Sequence, residues 1–121
     1  HGWVTSGFGF RTNPFTGLTQ MHEGIDISNR VGTLVIAPAD GIISDTGRDY
    51  THGNVVVISH GFGMTSRYNH LNKIFVRAGQ KVKRGDKLAE IGMSGKTTGP
   101  HLHYEVRVNG IPVNPVKYIL N

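Results

Sequence analysis

The chain has 121 residues, 13 Lys and Arg against 8 Asp and Glu for a formal charge of +5, seven histidines, 17 glycines and no cysteine. That is enough chain for one core without disulfides and too little for two independent domains. Apolar runs stop at a handful of residues, as in Leu34-Val35-Ile36-Ala37, far short of the ~20 a membrane helix needs, and the lack of thiols excludes cysteine nucleophiles and Cys-based zinc ribbons.

Taken in chain order, short β-branched runs at Thr33 to Ala37, Val55 to Ser59, Ile74 to Val76, Lys87 to Ile91 and Tyr104 to Val108 predict strands, separated by Gly, Pro, Asp and Asn. Val76 to Gly92 reads as two Gly-centred turns joining short strands. It resembles biotinyl and lipoyl carrier modules in pattern but offers no lysine at a matching hairpin tip. Val106-Arg107-Val108, Asn109-Gly110 and Ile111-Pro112-Val113 predict a hairpin, because Asn-Gly suits a type I′ turn. No dozen-residue window carries a 3.6-residue apolar period free of Gly or Pro, so helix is confined to a short terminal turn over Pro115 to Leu120. The expectation is a mainly β fold.

The histidines concentrate the chemistry. His101 and His103 are two apart in Gly99-Pro100-His101-Leu102-His103-Tyr104-Glu105, so on a strand both project from one face while Leu102 and Tyr104 face the other. His22 and Asp26 are four apart, and an extended segment gives them one face, with Gly24 leaving room between. Each motif alone is commonplace, as polar side chains facing water or as a structural hydrogen-bonded pair. Together they supply three N/O ligands and a spare histidine, which is what a catalytic zinc with one open position requires. The His22-Glu23 pair has no second histidine at the spacing of the His-Glu-x-x-His helix motif. His1, His52 and His60 read as terminal, loop or strand-end residues.

The order His22-x-x-x-Asp26, Tyr68-Asn69-His70-Leu71 and Gly99-Pro100-His101-Leu102-His103-Tyr104-Glu105 resembles the lysostaphin-type (LytM-domain) zinc metallopeptidases over nearly the whole chain. The resemblance implies an antiparallel β-sheet or sandwich of duplicated hybrid motif type with a long substrate groove, into which the carrier-like segment fits. It implies one zinc held by His22, Asp26 and His103, with His70 and His101 as the catalytic pair. It also implies a single metallopeptidase domain over 1–121, the catalytic part of a longer extracytoplasmic protein, whether periplasmic, wall-associated or secreted.

On that basis the expected activity is hydrolysis of peptide cross-links or bridges of peptidoglycan by metal-activated water. His101 would accept or orient the water proton, and His70 would stabilise the oxyanion or protonate the leaving amine. Glu23 and Glu105 are rival bases. Arg11, Asn13, Tyr68, Ser94, Thr97 and Thr98 are expected to line the groove. The positive charge suits an anionic wall polymer, and scattered Lys and Arg give a nucleic-acid partner no support. A monomer is expected. The alternatives are a catalytically silent wall-binding or activator module, which loss of zinc binding would indicate, and a zinc amidase, which product analysis would separate.

Overall fold

The computed structural model describes residues 3–12, 19–22, 24–95 and 101–115. Twelve strands follow in order: β1 (Trp3–Ser6), β2 (Gly9–Thr12), β3 (Thr19–His22), β4 (Ile25–Ser28), β5 (Leu34–Ile36), β6 (Gly41–Asp49), β7 (Gly53–Gly61), β8 (Met64–Ile74), β9 (Lys81–Val82), β10 (Lys87–Ile91), β11 (His101–Val108) and β12 (Ile111–Val113). Every pairing is antiparallel, and no α-helix occurs among the described residues. Ten strands form one sheet with the central order β1-β4-β11-β8-β7-β6-β9; β10 joins β8 to β5, β12 flanks β11, and β2 with β3 forms a separate ribbon.

Alternation along the central strands creates two faces. Leu102, Tyr104 and Val106 of β11 pack with Tyr68 of β8, Val56 and Ile58 of β7 and Ile25 of β4 in the core, together with Val35, Leu71, Leu88, Ala89 and Ile91. The intervening positions, Asp26, His103 and Arg67 among them, belong to the other face. Register fixes which side chains meet there, because a slip of one residue would exchange the faces.

The predicted hairpin is present: Val106 pairs Val113 and Val108 pairs Ile111, with Asn109 and Gly110 at φ 51° and 80°, the two positive angles a type I′ turn demands. Lys87 to Ile91 is a strand at the predicted bounds, and Gly79 and Gly85 supply the turns of the carrier-like segment. Ile74 to Val76 is not a separate strand. Ile74 ends the eleven-residue β8, and the chain leaves the sheet at Phe75. The predicted terminal turn falls almost wholly outside the described residues.

Candidate metal centre and active site

His22 and Asp26 do not share one strand. β3 ends at His22, the chain bends at Gly24, and β4 begins at Ile25. The bend is tight because Gly24 lies directly under β11: a Cβ there would stand 2.5 Å from the Tyr104 carbonyl oxygen, 2.7 Å from Glu105 Cγ and 3.0 Å from His103 Nε2. Side chains at both ends of the bend can still serve one site, and β4 carries Asp26 into register with His103 on β11.

That register brings Asp26 Oδ1 within 2.7 Å of His103 Nδ1, while His103 Nε2 meets Glu105 Oε2 at 2.9 Å. Glu105 in turn accepts from Arg107, with Nη2 3.1 Å from Oε1. The imidazole is thus flanked by two carboxylates in a largely buried setting, with 16% of its side chain exposed. Burial opposes its charge, but the hydrogen bonds and charges of Asp26 and Glu105 outweigh that and lift its pKa to about 9. For Glu105, burial raises the pKa, and the His103 and Arg107 contacts more than reverse this, leaving it lowered.

A histidine between two carboxylates must either hold both protons or give one nitrogen to a cation. With Nε2–H donated to Glu105, the Nδ1 lone pair and Asp26 Oδ1 face one another, and a divalent cation satisfies both. With a metal there it would be a carboxylate–histidine–metal arrangement, in which the outer carboxylate fixes tautomer and ring orientation. The donor set of imidazole nitrogen and carboxylate oxygen suits zinc. His22, the third expected ligand, lies at the end of β3, and its side chain falls outside the described residues, as does that of His101 two positions before His103.

His70 is positioned by a different device. Asn54 pairs Leu71 and Val56 pairs Tyr68, so Asn69 and His70 together oppose the single residue Val55, which is a β-bulge. His70 sits in it at φ 63°, a left-handed conformation uncommon for a side-chain-bearing residue. Hydrogen bonds hold it: its N–H donates to His52 O at 2.7 Å, and its Nδ1 donates to Ser94 O at 2.7 Å. A carbonyl can only accept, so Nδ1 carries the proton.

Ser94, expected to line a groove, works as a clamp. Its Oγ donates to Leu71 O at 2.6 Å and accepts from Asn54 N at 2.9 Å. The turn between β6 and β7 packs on this segment so closely that a Cβ at Gly53 would collide with Ser94, and one at Gly95 with Gly53. An open pocket of about 450 Å³ lined by Arg48, Asp49, Tyr50 and Gly95 adjoins this corner.

Tyr68 is a correction. It is 2% exposed and packs in the core against Tyr104, ring centroids 5.2 Å apart, its hydroxyl 3.0 Å from Ser66 Oγ. The bulge breaks the two-residue alternation that would have given Tyr68 and His70 one face. Arg11 lies on β2 with its side chain outside the described residues, and Asn13, Thr97 and Thr98 lie outside them altogether. Asn69, Arg67 and Arg107, which the sequence did not single out, share the face of His103; the two-residue steps from His103 to Glu105 and Arg107 were the available signal. His60 bridges Asp40 O and Ser66 Oγ at 2.8 and 2.7 Å, away from this face.

An all-antiparallel β-domain carrying a His–carboxylate pair able to hold a metal, beside a tautomer-fixed histidine, has the makings of a metal-dependent hydrolase. The model of peptidase family M23 matches residues 20–115, and the chain belongs to that family of metallopeptidases. It is 45% identical over 107 residues to the peptidoglycan DD-endopeptidase ShyA of Vibrio cholerae, covering 88% of this chain and 25% of that protein. The chain therefore spans about a quarter of this curated relative's length. A zinc-containing peptidase from Vibrio cholerae superimposes with a TM-score of 0.89 at 40% identity, over 99% of this chain and 36% of that one. The catalytic domain of lysostaphin from Staphylococcus simulans does so with 0.84 at 28% identity, over 98% and 92%. These likenesses agree with the lysostaphin-type resemblance carried by the histidine motifs.

Proposed function

We propose that this chain is the zinc endopeptidase domain, over 1–121, of a protein that cuts peptide cross-links of bacterial peptidoglycan outside the cytoplasm. The carrying observation is His103 wedged between Asp26 and Glu105 at 2.7 and 2.9 Å, one strand from a histidine whose tautomer is fixed. The name of the relative as a peptidoglycan DD-endopeptidase supports the substrate class, and the zinc-containing neighbour supports the metal.

His22, Asp26 and His103 would hold one zinc per chain, which when bound supplies a Lewis acid that acidifies water and polarises the scissile carbonyl. Glu105 keeps His103 in the ligating tautomer, and Arg107 keeps Glu105 ionised and in place. His70, its Nδ1–H held by Ser94 O, would in its protonated form give the Nε2 proton to the leaving amine. His101, beside His103 on β11, receives the proton of the attacking water. Glu105 is excluded as the base, since its two oxygens are taken by His103 and Arg107. The domain acts as a monomer in this reading.

The test is release of new amino groups from purified peptidoglycan by zinc-loaded protein, with metal-stripped protein and His101→Ala as controls and mass identification of products. Zinc-dependent release of an amine within the stem or bridge, lost in His101→Ala, is expected. Products cut between sugar and stem peptide would make it an amidase. Absence of both zinc binding and release would leave a silent wall-binding module.

A further inference from the structure

Arg67 lies on β8 directly across from Glu105 and two residues from Asn69, whose own partner across the strands is His103. It therefore stands on the face of the metal pair, displaced about 7 Å along the strands and about 5 Å sideways from His103 by ordinary strand spacing. Among the described residues its guanidinium makes one hydrogen bond, Nε to Asn69 Oδ1 at 3.2 Å. No carboxylate among the described residues pairs with it. Glu105, the nearest candidate across the strands, gives Oε2 to His103 and Oε1 to Arg107. On its other flank β7 offers Val57, and Asp45 of β6, beyond Val57, is exposed.

The arrangement is pre-organised as well as unpaired. Asn69 is completely buried, and the Arg67 bond sets its amide so that Oδ1 faces the guanidinium; its Nδ2 is buried with no hydrogen-bond partner among the described residues. A half-buried guanidinium anchored at Nε keeps its terminal nitrogens for a planar, two-oxygen acceptor, the geometry of a carboxylate. An unmatched cation on this face lowers its own desolvation cost only when an anion arrives.

Resting on the proposed function, we infer that Arg67 is a specificity-determining residue that receives a free carboxylate of the substrate peptide, within one to three residues of the scissile bond. Asn69 is a positioning residue that acts through Arg67. Arg107, whose charge is spent on Glu105, adds positive potential without competing for the carboxylate.

The experiment compares two cross-linked stem peptides identical except that the carboxylates of one are amidated, cleaved by zinc-loaded wild type, Arg67→Gln and Arg67→Lys. Wild type should prefer the free acid by about 10- to 100-fold in kcat/KM, the range of a charge-assisted hydrogen bond. Arg67→Gln should lose that preference through KM, leaving cleavage of the amidated peptide and zinc content unchanged, and Arg67→Lys should recover part of it. Equal loss on both peptides, or a preference intact in Arg67→Gln, overturns the inference. Calorimetric binding of the two peptides runs alongside. If no peptide is cleaved by any form, the endopeptidase reading fails, and Arg67 is then judged by binding alone: weakening of the acid form by tenfold or more in Arg67→Gln sustains it, and no binding or no difference overturns it. Should Arg67→Gln not fold, Arg67→Lys is held to the same comparison.

Discussion

Replacing Glu105 by glutamine keeps the shape of the side chain and removes one negative charge from a residue whose side chain is 8% exposed. In the wild type its Oε2 lies 2.9 Å from His103 Nε2 and its Oε1 3.1 Å from Arg107 Nη2. A glutamine can still accept from Nε2–H, but its amide nitrogen then confronts the Arg107 guanidinium, donor against donor. The imidazole loses the anion that raises its basicity and holds its tautomer, so the ligand at Nδ1 weakens. Loss of such an outer carboxylate costs about 10- to 100-fold in metal affinity, or roughly 1.4–2.7 kcal/mol. Competitive titration of zinc-free protein against a chelating indicator at neutral pH reads this directly, with a thermal melt of the zinc-free forms showing that the fold is retained. Zinc affinity in Glu105→Gln within twofold of wild type would refute the coupling of Glu105 to the metal through His103.

Gly24→Ala places a methyl group 2.5 Å from the Tyr104 carbonyl oxygen, a backbone atom that cannot turn aside, so thermal unfolding should show a loss of about 1–3 kcal/mol together with weakened zinc binding. In Ser94→Ala the hydroxyl bonds to Leu71 O and Asn54 N disappear while the carbonyl that holds His70 remains; steady-state kinetics should show a lowered kcat with little change in KM, and denaturant unfolding a loss of about 1–3 kcal/mol, since two partners lose their bond. Burial raises the Tyr104 pKa to about 12 and lifts that of Tyr68 well above 10. Unfolded tyrosines ionise first, so their contribution to stability is complete below about pH 10 and declines as pH rises towards 12. Alkaline titration of tyrosinate absorbance should show these two rings ionising only with unfolding, and Tyr104→Phe should move that transition to higher pH.

The parts of the site legible in the sequence were those whose geometry is local. His101 and His103 fall on one strand because alternation is a two-residue property, and Asn109-Gly110 turns because both residues tolerate positive φ. The His22 to Asp26 spacing misled for a tertiary reason: β11 passes so close to Gly24 that the segment must bend, splitting one expected strand into two. β8 went unread because its sequence, Met64-Thr-Ser-Arg-Tyr-Asn-His-Leu-Asn-Lys-Ile74, has little apolar alternation. Ser66 and Tyr68 fill the core face, and Arg67 and Asn69 serve the other. A strand that is the floor of a polar site looks like a loop by hydropathy alone. The burial of Tyr68 was hidden for the same reason, since the bulge after it is set by pairing with β7.

That bulge is also what separates the two chemical duties of the site. On β11 and β4 regular register aligns Asp26 with His103, so the proposed metal pair inherits its precision from strand pairing. A histidine at position 70 in regular β8 would follow the alternation of Tyr68 and turn towards the core. The extra residue in β8, the left-handed His70 and the bonds from His52 O and Ser94 O turn it out of that sequence and fix its proton. Left-handed backbone at a bulky residue costs on the order of 1–3 kcal/mol, and a strain of that size persists only where neighbours hold it. Here they are the β6–β7 turn and the Ser94 segment, which interlock at Gly53 and Gly95. Side chains at those glycines should therefore lower turnover without weakening zinc binding, whereas Gly24→Ala should weaken zinc. Purified Gly53→Ala and Gly24→Ala proteins, compared for bound zinc and for kcat, separate the two: equal loss of zinc in both would mean that the His70 corner and the metal pair are one structural unit.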